Sequence, residues 1–170
     1  ISPNLSFFAS GIAGKNSGQA YIRGVGQFDY LLSTDPGVSI YVDGVYLARS
    51  LGSVLELVDI ERVEILRGPQ GTLYGKNTIG GAINVITRKP AKEQEAYIEA
   101  RIGDYDRFNV RASASIPFVQ DELNAKLAFS TTNADGFGYR PLTDDHPGGE
   151  DSNALQGVLD WTPTENFEFL

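Results

Sequence analysis

The sequence predicts an α+β domain built on a small mixed sheet up to about residue 90, followed by a series of antiparallel strands. Three features predict this. Short β-branched and apolar runs bounded by Gly and Pro fill the first half. A two-residue alternation of apolar and polar side chains starts at Ala96 and recurs along the second half. Charge also divides: residues 1–90 hold 8 Lys/Arg against 7 Asp/Glu, whereas residues 91–170 hold 6 against 15, so the net −8 lies almost wholly in the second half. Such asymmetry implies two environments, and an acidic second half argues against a nucleic-acid partner, whose binders need a basic stripe to neutralise phosphates.

The 170 residues are 41% hydrophobic, a composition that supports a folded core. With no Cys, disulfides and thiolate metal sites are excluded, and imidazole chemistry is confined to His146 among Asp144, Asp145, Pro147 and Gly148. No catalytic set of nucleophile, base and orienting group is visible, and no cofactor or resident metal is expected. The chain opens without Met or a signal-like apolar run and stops inside a strand pattern at residues 166–170, so it reads as part of a longer protein.

In order, residues 11–18 read as an exposed Gly/Ser/Asn loop and residues 20–23 as a short strand ending at Gly24. Residues 38–47 hold two alternating runs around Asp43-Gly44, the dipeptide favoured in type I′ hairpin turns, so Asp43 reads as a turn former rather than a catalytic acid. Leu55-Glu56-Leu57-Val58, with Ser53 as N-cap, suggests a short helix. Strands are expected at 62–66 and 82–87, joined by a connection with five glycines from Gly68 to Gly81, where backbone can pass close to a neighbour.

Two nucleotide motifs fail here. Gly24-x-Gly26 has Asp29 where a dinucleotide fingerprint needs its third Gly or Ala, and Gly71-x-x-x-Gly75-Lys76 has one residue too few and Asn77 where the phosphate loop needs Ser or Thr.

In the second half, Ala96, Ile98, Ala100 and Ile102 alternate with Tyr97, Glu99 and Arg101. Phe108, Val110, Ala112, Ala114 and Ile116 alternate with Arg107, Asn109, Arg111, Ser113 and Ser115. Leu123, Ala125, Leu127 and Phe129 continue the pattern on a third strand, and Leu155, Gly157, Leu159 and Trp161 on a fourth. Connections are expected at 103–106, 118–122, 133–152 and 163–166. The alternation alone fits either a soluble sheet with one face on a core or strands of a transmembrane barrel.

The order of Ile22-Arg23-Gly24, Tyr41-Val42-Asp43-Gly44-Val45, Ile60-Glu61-Arg62-Val63-Glu64-Ile65-Leu66-Arg67-Gly68-Pro69, Leu73-Tyr74-Gly75 and Gly80-Gly81-Ala82-Ile83-Asn84-Val85-Ile86-Thr87 resembles the plug domain of TonB-dependent outer-membrane receptors. The resemblance implies a plug over residues 1–90, with its N-terminal part missing. It also implies the first four strands and the start of the fifth of a barrel of about 22 strands over 91–170. The tight turn 103–106 and the long loop 133–152 would then lie on the outer side and the short turns 118–122 and 163–166 on the inner side, with Trp161 and Phe118 near the inner boundary and Tyr105 near the outer one.

It implies further that Arg23 and Arg67 latch the plug to barrel glutamates. Substrate contacts would come from three apical loops carrying Lys15 and Asn16, Phe28, Asp29 and Tyr30, and Arg49. The implied partners are outer-membrane lipid, a scarce nutrient and the TonB energy-coupling protein, the last acting through a segment before Ile1. The nutrient expected is a ferric siderophore complex, with cobalamin, carbohydrate or another metal chelate as alternatives; a passive or adhesive barrel is the rival reading.

Overall fold

A computed structural model of the chain describes residues 3–9, 18–27, 34–48, 58–142, 144, 146–164 and 167–169. The chain divides into two compact units, Ile1–Arg88 and Lys89–Leu170.

The first unit holds two sheets. Strands β1 (Leu5–Ala9), β2 (Gly18–Ile22) and β3 (Val25–Gly26) form an antiparallel sheet in that order. Strands β4 (Val38–Val42), β5 (Val45–Leu47), β6 (Ile60–Arg67) and β7 (Gly81–Thr87) form a mixed sheet ordered β5-β4-β7-β6, in which β4 and β7 are parallel and the other pairs antiparallel. Between β6 and β7 the chain makes one helical turn, α1 (Gly71–Tyr74).

Pairing puts Val38, Ile40, Val42, Leu47, Ile65, Ile83 and Val85 on one face of the mixed sheet. Ala20, Ile22 and Leu5 of the smaller sheet complete a core with them, in which Ile22 is 1% exposed. The side chains that alternate with these, including Ser39, Tyr41, Asn84 and Glu64, necessarily point to the other face.

Both hairpin turns have two residues with positive φ: 53° and 80° at Arg23 and Gly24, 48° and 80° at Asp43 and Gly44. The expected Asp-Gly hairpin is present. Arg23 is corrected: it does not end a strand but opens a turn. Ile22 pairs directly with Val25, which leaves two residues to reverse the chain, and the twist of the strands then selects the type I′ geometry. Strand β1 was not anticipated, although Leu5, Phe7 and Ala9 alternate with Ser6 and Phe8. The expected loop at 11–18 and the helix at 52–58 lie outside the described residues, apart from Gly18, which opens β2, and Val58, which is buried.

The second unit is a meander of β8 (Glu95–Gly103), β9 (Arg107–Val119), β10 (Leu123–Ala134), β11 (Glu150–Thr164) and β12 (Phe167–Phe169), each antiparallel to the next. Its register aligns the apolar positions across four strands: Ile98 with Ala112, Ala112 with Phe129, and Phe129 with Leu155.

That aligned face is inverted relative to a soluble sheet. Ile98 is 76% exposed and Leu155 71%, whereas Ser115 is 4% and Lys126 3% exposed on the opposite face. Strands β9, β10 and β11, of 13, 12 and 15 residues, exceed the roughly 9–11 that cross a bilayer. Two connections are shorter than expected because the strands run further: β9 continues through Phe118 to Val119, and the long loop is confined to 135–149. Strand β11 likewise runs on to Thr164, past the start of the expected 163–166 connection. Among the described residues no helix is long and apolar enough to cross a membrane.

Candidate functional site

The hairpin tip of β2 and β3 and the start of β7 meet at two glycines. A side chain on Gly80 would press on Val25 at 3.0 Å, and one on Gly81 would strike the Leu66 carbonyl and come within 2.9 Å of Ile22 Cδ1. Gly81, at φ 144°, is also the cross-strand partner of Arg67. Ile22, next to Arg23, and Arg67 therefore converge on one backbone position, and the absent Cβ there allows the approach.

Both arginines are exposed. The Arg23 amide donates to the Asn4 carbonyl at 2.9 Å, which fixes the turn. After Arg67 the chain leaves the strand through Gly68 at φ 89°, whose amide donates to the Gly80 carbonyl at 3.0 Å. Lys15, Asn16, Phe28, Asp29, Tyr30 and Arg49 lie outside the described residues.

On the far face of the mixed sheet lies a group the sequence did not reveal. The Tyr41 ring stands 5.5 Å from Tyr46 and 5.0 Å from Tyr74, and its hydroxyl donates to the Tyr74 carbonyl. The Asn77 amide donates to the Tyr46 hydroxyl at 2.8 Å, and the buried Ser39 hydroxyl to the Asn77 carbonyl at 2.8 Å. These contacts lay the connection 70–78 across β4 and β5. Burial pushes the Tyr41 hydroxyl above the ordinary tyrosine range, so it stays a neutral donor. The alternation of Ser39, Tyr41 and Tyr46 with the core positions was the available signal.

Beside this cluster, Arg62 Nε bonds Glu64 Oε1 at 2.9 Å, and Asn84 Nδ2 donates to Glu64 Oε2 at 3.2 Å. The Arg62 bond, then the Asn84 bond, hold the Glu64 carboxyl below its usual range. At the end of the sheet, Arg88 closes on the buried Asp59 carboxylate at 3.4 Å, and the Arg88 amide donates to the Asp59 carbonyl at 3.0 Å. Among the described residues, no three His, Cys, Asp or Glu side chains stand close enough together to hold a metal ion. These groups organise the scaffold of the mixed sheet.

Residues 2–82 match the family model described as the TonB-dependent receptor plug domain. The chain carries a TonB-dependent receptor plug domain. Receptors with this plug are outer-membrane transport proteins rather than enzymes, and the outer membrane is the chain's location. The chain is 37% identical over 109 residues to the pesticin receptor of Yersinia pestis, an alignment covering 64% of this chain and 16% of that protein. It is 29% identical over 133 residues to the vitamin B12 transporter BtuB of Vibrio cholerae, covering 72% and 21%.

The ferric yersiniabactin uptake receptor FyuA from Yersinia pestis superposes with a TM-score of 0.84 at 32% identity, over 97% of this chain and 26% of that one. The chain thus spans about a quarter or less of the relatives it matches. The superposition takes in the plug's mixed sheet and the antiparallel strands after it, which is the architecture of a partial receptor barrel.

Proposed function

We propose that this chain is the plug, residues 1–90, and the first barrel strands, residues 91–170, of an active transport receptor that admits a ferric siderophore complex across the outer membrane. The barrel, of about 22 strands when complete, receives its support from one observation: the second unit exposes its aligned apolar face and gathers its polar side chains, Ser115 and Lys126 among them, on the opposite one, as a wall between lipid and an aqueous lumen does. The cargo is supported by the similarity to a ferric yersiniabactin uptake receptor over nearly the whole chain. A cobalamin reading has weaker support from the vitamin B12 transporter at 29% identity.

In this reading Lys15, Asn16, Phe28, Asp29, Tyr30 and Arg49 contact the chelate at the plug apex, where aromatic faces and charges suit a polar, often anionic ligand. Arg23 and Arg67 hold the plug to acidic residues of the barrel wall. Substrate binding shifts a coupling segment toward TonB, whose pull unseats part of the plug.

The test is uptake by cells with and without the gene under iron limitation, with ferric chelates and cobalamin offered separately. Iron uptake that depends on the gene and stops when the proton-motive force is collapsed is the expected result. Cobalamin uptake alone would reassign the cargo, and uptake indifferent to the force would leave a passive barrel.

A further inference from the structure

The β10–β11 hairpin does not end with its ladder at Ala134 and Glu150. Beyond them the Gly138 amide donates to the Pro147 carbonyl at 3.2 Å, which sets Gly138 opposite Pro147, one residue out of step with the pairs below. Phe137 then falls beside Gly148, and Tyr139 beside His146. Glycine permits this approach: a side chain on Gly136 would strike the His146 and Pro147 carbonyls, and one on Gly148, at φ 97°, would come within 3.2 Å of the Phe137 ring. The base is braced by the neighbouring turn, where the Tyr105 carbonyl accepts from the Asp135 amide at 2.7 Å and Arg107 pairs with Glu150 at 2.8 Å. This frame holds out aromatic rings. Tyr139 and His146 stand 5.4 Å apart, inclined by 42°, yet Tyr139 is 60% exposed and Phe137 79%. Rings left so open add little to the burial that stabilises the fold, and they offer a large contact area at low entropy cost.

We infer that this hairpin selects ferric chelates that carry aromatic rings and little negative charge. The inference rests on the receptor reading above, in which the long connection stands at the outer mouth and the cargo passes it on the way to the plug. Flat aryl groups stack on Phe137 and Tyr139, whereas an aliphatic chelate gains no such contact. Charge supplies the second criterion. With Glu150 taken by Arg107, the exposed Asp104, Asp106, Asp135, Asp144 and Asp151 stand around the rings against Arg140. A surface of that sign lowers the local concentration of anions. The plug apex by itself accepts an anionic ligand; the hairpin narrows that range.

The experiment measures iron uptake by iron-limited cells in which the full-length receptor is the sole route for ferric chelates, at matched receptor levels. Four probes separate the criteria: ferric pyochelin, an aryl chelate of low charge; ferric enterobactin, an aryl chelate of high negative charge; ferrichrome, uncharged and without aryl groups; and ferric dicitrate, anionic and without them. The wild type should favour ferric pyochelin. Phe137→Ser with Tyr139→Ser should raise its half-saturating concentration about tenfold at unchanged maximal rate, and Tyr139→Phe, which keeps the ring, should not. Asp135→Asn with Asp144→Asn and Asp151→Asn should improve uptake of ferric enterobactin. Preference for ferrichrome or ferric dicitrate, or ring variants that handle ferric pyochelin as the wild type does, overturns the inference and leaves the receptor reading in place. Uptake of none of the four would overturn the ferric cargo and this inference together.

Discussion

The Asp43 carboxylate accepts two hydrogen bonds from Thr87, one from the backbone amide to Oδ1 at 2.9 Å and one from the hydroxyl to Oδ2 at 2.8 Å. With the Asp43 amide donating to the Val85 carbonyl at 3.0 Å, the tip of the β4–β5 hairpin is tied to the end of β7. The residue that makes the turn also closes the parallel pair. Asn can adopt the same positive φ but cannot accept through its nitrogen, so Asp43→Asn should lose one charge-assisted bond, about 1.5 kcal/mol. Asp43→Ala should lose more, because Thr87 is 8% exposed and is left unsatisfied. Hydrogen exchange at the Thr87 amide of the full-length receptor should accelerate about tenfold in the Asn variant; an unchanged rate would show that the clamp is dispensable.

Glycines in the same unit should respond in opposite ways. Gly81→Ala forces a side chain into the Leu66 carbonyl at φ 144°, and should destabilise the plug by at least about 2 kcal/mol. Gly71, at the start of α1, has open space around it and no positive φ, so Gly71→Ala should stabilise by about 0.5–1 kcal/mol through the lower entropy of the unfolded chain. Urea resistance of the plug in the intact receptor compares the two. A neutral Gly81→Ala would mean that β2, β6 and β7 do not meet as closely as described.

Acid should act on β6 and β7 through Glu64. Its folded carboxyl titrates below the ordinary 4.5 because Arg62 and Asn84 bond the charged form. The folded state therefore binds the proton less readily than the unfolded chain. The stabilisation is complete above the ordinary value and is lost as pH falls through the depressed one. Exchange of the β6 and β7 amides, corrected for intrinsic rate, should show increased opening from roughly pH 5 to 3, with Glu64→Gln flat over that range. Since both side chains are largely exposed, salt should weaken the effect; equal acid responses in the two proteins would remove Glu64 from the account.

How far such sites were legible depended on whether the signal was local. The Asp43-Gly44 hairpin and the alternation from Ala96 could be read because turn chemistry and strand period are written in neighbouring residues. The clamp to Thr87 could not, since it spans 44 residues and depends on β4 pairing with β7 rather than with β6. Tyr41, Tyr46 and Tyr74 were invisible as a cluster for the same reason. Strand β1 was passed over because its five residues contain adjacent Phe7 and Phe8, which blur the alternation. Which face of the 95–164 sheet is exposed is a matter of tertiary burial, and period alone is symmetric between the two answers.

The proposed latch carries the last prediction. Arg67 and the neighbour of Arg23 share Gly81, so a load on either arginine reaches the same backbone. Replacing Arg67 with Ala in the full-length receptor should remove a charge-assisted contact of about 1.5–3 kcal/mol and make the plug more sensitive to protease. Lys should restore only part of the resistance, because it keeps the charge without the planar bidentate fork. Arg23→Ala should act in the same direction, and the double variant should depart from the sum of the singles by at least about 0.5 kcal/mol, as residues coupled through a shared position do. Normal protease resistance and normal uptake in Arg67→Ala would sink the latch, and strict additivity would confine each arginine to its own contact.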